Sequence, residues 1–288
     1  MEEVVKNKIS QKIRDLPTLP MIAAQIFQVT NDPDATVEDL QEIISADHVV
    51  TGRILRAVNS AYYGFPRQID VLSKAIVILG FNNVRSLALS VSIMEMYPRK
   101  SPTRFNYGEL WAHAIGTAHC ARAIAKIHNP RNIEQYFVAG LLHDIGIIAL
   151  NQCFRSEFME CVDAAQEQKR PLYKVESEKF EFNHAEVSGF IADKWLLPEP
   201  LAEAVAFHHN PKKSLDYPNI VYAVHAADII CKIFNFGDYG DNEPFSLHSI
   251  YEPARKMFNI SEQQLPEDLA GAITEDLEEA KSFMKIFK

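Results

Sequence analysis

The chain is expected to be all-α, a multi-helix bundle, and three observations carry that expectation. Apolar residues recur at the spacing of one helical face, proline and glycine punctuate the pattern, and no alternating run of convincing strand length occurs. The opening segment, MEEVVKNKISQKIRDLP, mixes charge with apolar residues and lacks the apolar stretch of a signal peptide. Thr36 and Asp39 form a helix-start pair, after which Val37, Leu40, Ile43 and Ile44 fall on one face. Ile54, Leu55 and Val58 lie on a second helix that Gly64 and Pro66 break, and Ala75, Ile76 and Leu79 on a third that stops at Gly80. These short helices predict an N-terminal helical subdomain over residues 1–98, packed against the rest of the chain.

MYPRKSPTR at 96–104, with two prolines and three basic residues, is the expected junction. Beyond it the pattern predicts a helix from about Glu109 to Ile127, one carrying His143 and Asp144, and one containing Cys153 and Cys161. Further helices are expected to begin near His184, Pro198 and Pro218, with a looser segment, NFGDYGDNEPF at 235–245, before a last acidic helical region. Residues 99–288 are thus read as a second helical subdomain with a C-terminal extension.

At 288 residues, one large domain or two intimately packed subdomains is expected. The formal charge of −9, from 38 acids against 29 bases, excludes the basic footprint that generic binding to nucleic acid or an anionic membrane needs. Four cysteines without CxxC spacing, in apolar helical surroundings, read as reduced, buried thiols. The longest apolar run, around 137–150, is interrupted by His143 and Asp144 and is too short to span a bilayer, so a cytoplasmic protein is expected.

His113, His143, Asp144, His184, His208, His209 and Asp228 form an ordered series that draws on five of the ten histidines. Neutral imidazole with ionised carboxylate suits a divalent transition metal (iron, manganese, nickel or zinc), and a mixed N/O set leaves positions open for water. A metal so held acidifies bound water and polarises phosphoryl oxygens, so phosphate-ester hydrolysis is the reaction class such a set points to. Asp228 lies in the apolar stretch VYAVHAADIICKIF, where an unpaired carboxylate would be costly. Small and apolar neighbours of His143 and Asp144, among them Gly140 and Gly146, would permit close approach to an ion. His119, His128 and His225 are read as ordinary histidines, with His225, three residues before Asp228, a weak candidate for a supporting role.

His113, the adjacent His143-Asp144 and Asp228 resemble the ligand set of the HD superfamily of metal-dependent phosphohydrolases. His184 and His208-His209 resemble the added ligands of its two-metal branch, which implies one or two ions. LPTLP at 16–20, the segment 32–64 ending in NSAYYG, AIVILGFNNVRSLALSVS at 75–92, GLLHDIG and the stretch 183–211 resemble the HDOD domain, a bacterial output domain related to HD. The resemblance covers roughly residues 10–212 and implies an HD-like helical bundle.

Two departures bear on activity. The HD-GYP phosphodiesterases continue HDIGK and HHE and carry a GYP turn; here Ile147 replaces the lysine, the histidine pair continues HHNPKKSLDYP, and no such turn is present. An isoleucine supplies no charge to a phosphate. The leading expectation is a signalling or regulatory protein that acts through a protein partner or a phosphorylated small-molecule ligand. The alternative is a phosphohydrolase acting on a nucleotide or phosphodiester, with Lys194, Lys212 or Lys213 as the phosphate cation. In NSAYYG, Asn59, Ser60, Tyr62 and Tyr63 read first as structural, Arg85 as a solvated or inter-subdomain ion-pair residue, and Lys194 with Trp195 as flanks of a pocket or a snorkelling pair.

Overall fold

The computed structural model describes residues 3–13, 16–31, 35–60, 65, 68–98, 104–128, 133–241 and 244–285, and among these every regular element is helical. The helices are α1 (Glu3–Lys12), α2 (Met21–Asn31), α3 (Val37–Ser45), α4 (His48–Val58), α5 (Leu72–Leu79), α6 (Phe81–Met94), α7 (Tyr107–Ile127) and α8 (Ile133–Leu142). They continue with α9 (Ile145–Cys153), α10 (Arg155–Gln168), α11 (Leu172–Phe180), α12 (His184–Lys194), α13 (Glu199–Phe207), α14 (Pro218–Ile233), α15 (Glu252–Met257) and α16 (Glu267–Lys285).

The chain divides into two compact units, one made of residues 1–17 and 99–274, the other of 18–98 and 275–288. In the smaller unit α2 to α6 pack on one another around Ile26, Leu40, Ile44, Ile54 and Val84. The expected start of α3 is present as a reciprocal cap: Thr36 Oγ1 accepts from the Asp39 amide, and the Thr36 amide donates to Asp39. Asn59 bridges the end of α4 to the chain ten residues on, donating to Leu55 O and Ile69 O and accepting from the Ile69 amide, each at 2.7 Å. Its role is therefore structural; Tyr62, Tyr63, Gly64 and Pro66 lie outside the described residues. Arg85 is buried in α6, its guanidinium over the Phe81 ring, so of its two expected readings the solvated one does not hold.

In the larger unit α7 packs on α8 and α14, and α12 on α9 and α13. α1 joins this unit through the buried Ile9 and Ile13, the Lys6–Asp193 ion pair and a Lys12 bond to Phe180 O. Trp195 Nε1 donates to Pro17 O, and Lys194 lies over the Phe190 ring. The stretch Ile133–Cys153 is long and apolar enough to cross a membrane by composition, longer than expected from the sequence. Of its most apolar window, 83% is buried inside the protein, as the core helices α8 and α9.

Two predicted helices are broken in the structure. The segment with Cys153 and Cys161 splits at Phe154 (φ −131°, ψ 44°), which ends α9 and begins α10. His143 and Asp144 lie in the turn between α8 and α9, where His143 Nδ1 donates to Gly140 O at 2.7 Å.

Candidate metal centre

Every residue of the predicted series lies in the larger unit, and the structure brings all seven together. α7 supplies His113 and α14 supplies Asp228. The α8–α9 break supplies His143 and Asp144, the first residue of α12 is His184, and His208 and His209 come just after the end of α13. Both adjacent pairs sit just past a helix end. Neighbouring residues on an intact helix point about 100° apart, so a turn is what lets two successive side chains converge.

Two donor groups result: Asp144, His184, His208 and His209, and separately His113, His143 and Asp228. Within each, one ligand atom per residue lies within 4.8 Å of all the others, close to the span of two metal–ligand bonds of about 2.0–2.2 Å. Asp144 faces both groups. Its Oδ1 is 3.3 Å from His184 Nε2 and 3.5 Å from His208 Nε2, and its Oδ2 is 3.1 Å from His143 Nε2. His113 Nε2 meets Asp228 Oδ1 at 3.0 Å.

Supporting contacts set the ring orientations. His143, His184 and His208 direct Nδ1 to Gly140 O, Glu176 Oε2 and Val205 O at 2.7, 2.7 and 2.9 Å. A neutral ring that donates from Nδ1 presents an Nε2 lone pair, which is what a metal needs. His143 Nε2, His208 Nε2 and Asp144 Oδ1 are buried without a hydrogen-bond partner. Orphaned acceptors at the convergence of fixed rings fit a divalent ion, because buried polar atoms are otherwise paired.

Burial and neighbouring charge pull the titrating groups apart. Burial opposes charge on Asp144, yet the His143 and His184 rings hold its carboxyl well below the usual range. Lys232 and His113 overcome burial in the same way for Asp228. Burial, above all, pushes His208 down to about 4. His184 is raised to about 10, Glu176 and Asp144 outweighing burial, and His113 to about 10, Asp228 and Cys231 outweighing it.

Several functional neighbours have no motif of their own. Glu176 is fully buried and accepts both the backbone amide and Nδ1 of His184, at 2.8 and 2.7 Å. Tyr239, beyond the end of α14, donates to Asp144 Oδ2 at 2.9 Å and lies edge-on to His113. Lys232 reaches Asp228, and its position four residues after a buried acid is a signal the sequence did contain. His225 donates to His208 O at 2.6 Å and accepts from the Tyr251 amide, so it fixes the His208-His209 turn. Ile147 is fully buried in the core of α9. His209 stacks on Tyr173 at the floor of a cleft of about 910 Å³, also lined by Asn210, Lys212, Lys213 and Tyr251. Lys194 is not among the residues lining it.

The HDOD domain profile matches residues 16–211. This chain belongs to the HDOD domain family. The HDOD match includes the smaller unit's helices α2 to α6 and the larger unit as far as the residues just past His209. An HDOD domain protein of unknown function from Geobacter sulfurreducens has a similar structure, at 27% identity and TM-score 0.84, over 99% of this chain and 97% of that one. A signal transduction candidate from Marinobacter aquaeolei VT8 (17% identity, TM-score 0.78; 98% of this chain, 64% of that) shares the fold. So does a phosphohydrolase candidate from Shewanella amazonensis SB2B (20% identity, TM-score 0.74; 98% of each chain). An uncharacterized protein of Treponema pallidum (strain Nichols) is 26% identical over 259 residues, 89% of this chain. The chain spans about half (49%) of the length of that curated relative.

Proposed function

We propose that this HDOD protein is a bacterial cytoplasmic regulatory module that holds one or two divalent transition-metal ions in the His/Asp cluster and works by binding a phosphorylated ligand or a partner protein. The carrying observation is the set of three imidazoles anchored through Nδ1, with His143 Nε2, His208 Nε2 and Asp144 Oδ1 buried and unpaired at their meeting point. A bound ion there would be a Lewis acid for phosphoryl oxygen. This chain's own residues do the rest: Glu176 holds His184, Tyr239 holds Asp144, and His225 holds the His208-His209 turn.

Binding is favoured over turnover because the family position that carries lysine in the related phosphodiesterases is the buried Ile147. The phosphohydrolase reading keeps one observation in its favour: the cleft floored by His209 carries Lys212 and Lys213 on its wall. The test is metal analysis of anaerobically purified protein beside a His143→Ala/Asp144→Ala variant, and then calorimetric titration with a nucleotide and phosphodiester panel. One or two ions per chain, lost in the variant, with ligand binding but no product, is the expected result. Absence of metal from the folded wild type overturns the metal reading, and turnover of any panel member overturns the binding reading.

A further inference from the structure

The two donor groups differ in charge. Among the described residues, no lysine or arginine is ion-paired within the group of Asp144, His184, His208 and His209. The Asp144 carboxylate stands among three imidazoles, and the buried carboxylate of Glu176 backs His184. Two carboxylates, with imidazoles that give up their Nε2 protons on binding, match a divalent ion.

The group of His113, His143 and Asp228 already contains a positive charge. Lys232, one turn after Asp228 on α14, places Nζ 2.9 Å from Asp228 Oδ1 and 3.2 Å from Oδ2. The same Nζ is 2.7 Å from Asp241 Oδ2 and 4.7 Å from the centre of the Phe245 ring. Asp241 is held in turn, its Oδ1 accepting from the Leu172 amide at 3.0 Å. The ammonium is thus locked by two carboxylates and an aromatic face, with only 6% of its side chain exposed. Asp228 Oδ1 also receives His113 Nε2. The carboxylate of this group is shared by a lysine and an imidazole, and like charges a few ångströms apart repel strongly where water is excluded.

We infer that Lys232 acts as a resident cation in place of a second metal, so that the chain binds a single divalent ion, in the Asp144, His184, His208 and His209 group. The inference rests on the proposed metal site and deepens it. The ion then lies beside His209, which lines the cleft, while Lys232 and Tyr239 line a separate, smaller cavity of about 270 Å³.

The test uses Mn(II) as the probe on the full chain: saturation, removal of excess, metal content by mass spectrometry, and the electron paramagnetic resonance signal. The wild type and His113→Ala should each retain one equivalent with an uncoupled Mn(II) spectrum, and His208→Ala/His209→Ala should retain none. Lys232→Met, similar in length but uncharged, should rise to two equivalents with a spin-coupled signal. Two equivalents in the wild type, or one that is lost in His113→Ala and kept in His208→Ala/His209→Ala, overturns the inference while leaving a metal site. No manganese in any folded variant overturns the metal reading itself. Should Lys232→Met not fold, the wild-type and His113→Ala counts decide alone.

Discussion

Replacing Gly146 by alanine tests how the HD turn is held against α12. A methyl group on Gly146 would lie 2.1 Å from the backbone oxygen of His184 and 2.8 Å from the Ser188 amide nitrogen. Ordinary contact begins near 3.4 Å, so α9 and α12 must part by about 1.3 Å, the difference between 3.4 and 2.1. The obstacle is backbone, which cannot rotate away. Overpacking of this kind costs about 1–3 kcal/mol, and loss of the buried Gly146 N–H bond to Ser188 Oγ adds about 1–3 kcal/mol. Alanine's better helix propensity returns up to about 1 kcal/mol, so a net loss of roughly 3 kcal/mol is expected. The displaced residues adjoin Asp144 and include His184, and metal sites tolerate only about 0.2 Å, so metal content should fall with stability. Urea denaturation and metal analysis, with Gly271→Ala as control, give the answer, because nothing lies within 4 Å of a methyl at Gly271. A Gly146→Ala midpoint and metal content equal to the control's would refute the close-approach argument.

Glu176→Gln should keep the fold but weaken metal binding by about 10–100-fold, because the carboxylate that orients His184 is lost; competition against a chelator measures this. Tyr239→Phe removes a bond to a charged carboxylate and should lower stability by about 1.5–3 kcal/mol in a urea titration. Acid should destabilise the chelator-treated protein. His208 is held neutral down to about 4, whereas an unfolded histidine protonates near 6.5. Between those values the unfolded chain binds the extra proton, so stability falls as pH falls, by on the order of 3 kcal/mol for this group. His209 and His225, also lowered, act with the same sign. Denaturation midpoints that stay flat from pH 7 to pH 4 would contradict this.

That these seven residues would converge was legible because histidine and aspartate are unusual in apolar helical stretches, and their chemistry does not depend on where the helices end. The helix starts at His184, Glu199 and Pro218 were legible for local reasons, since asparagine and proline mark them. The breaks at His143 and Phe154 were not, because neither has a glycine or proline at the break and apolar periodicity runs through both. Small residues at Gly140 and Gly146 suggest room for an ion. In the structure that room is taken by neighbouring helices: a methyl on Gly140 would meet Ala118 and Thr117 of α7, as one on Gly146 meets α12. Glu176 and Tyr239 reach the site only through tertiary packing, eight residues before His184 and 95 after Asp144, and carry no local pattern.

Ile147 separates two explanations of why lysine is missing from the HD turn. Had that position faced a ligand, lysine would restore a phosphate cation; instead Ile147 is 0% exposed within α9. A lysine there would bury its ammonium in apolar surroundings, which costs several kcal/mol when no partner is present. Ile147→Lys should therefore destabilise the chain by about 3 kcal/mol or more without creating cyclic dinucleotide hydrolysis. Thermal denaturation and product analysis on the same preparation check both halves. A stable Ile147→Lys variant that hydrolyses a cyclic dinucleotide would show that the lysine reaches the cleft, and that this module is one substitution away from catalysis. If instead the variant is merely unstable, the positive charge near the cluster comes from Lys232 within and from Lys212 and Lys213 at the cleft. On the proposed reading, those lysines would hold a phosphorylated ligand beside His209.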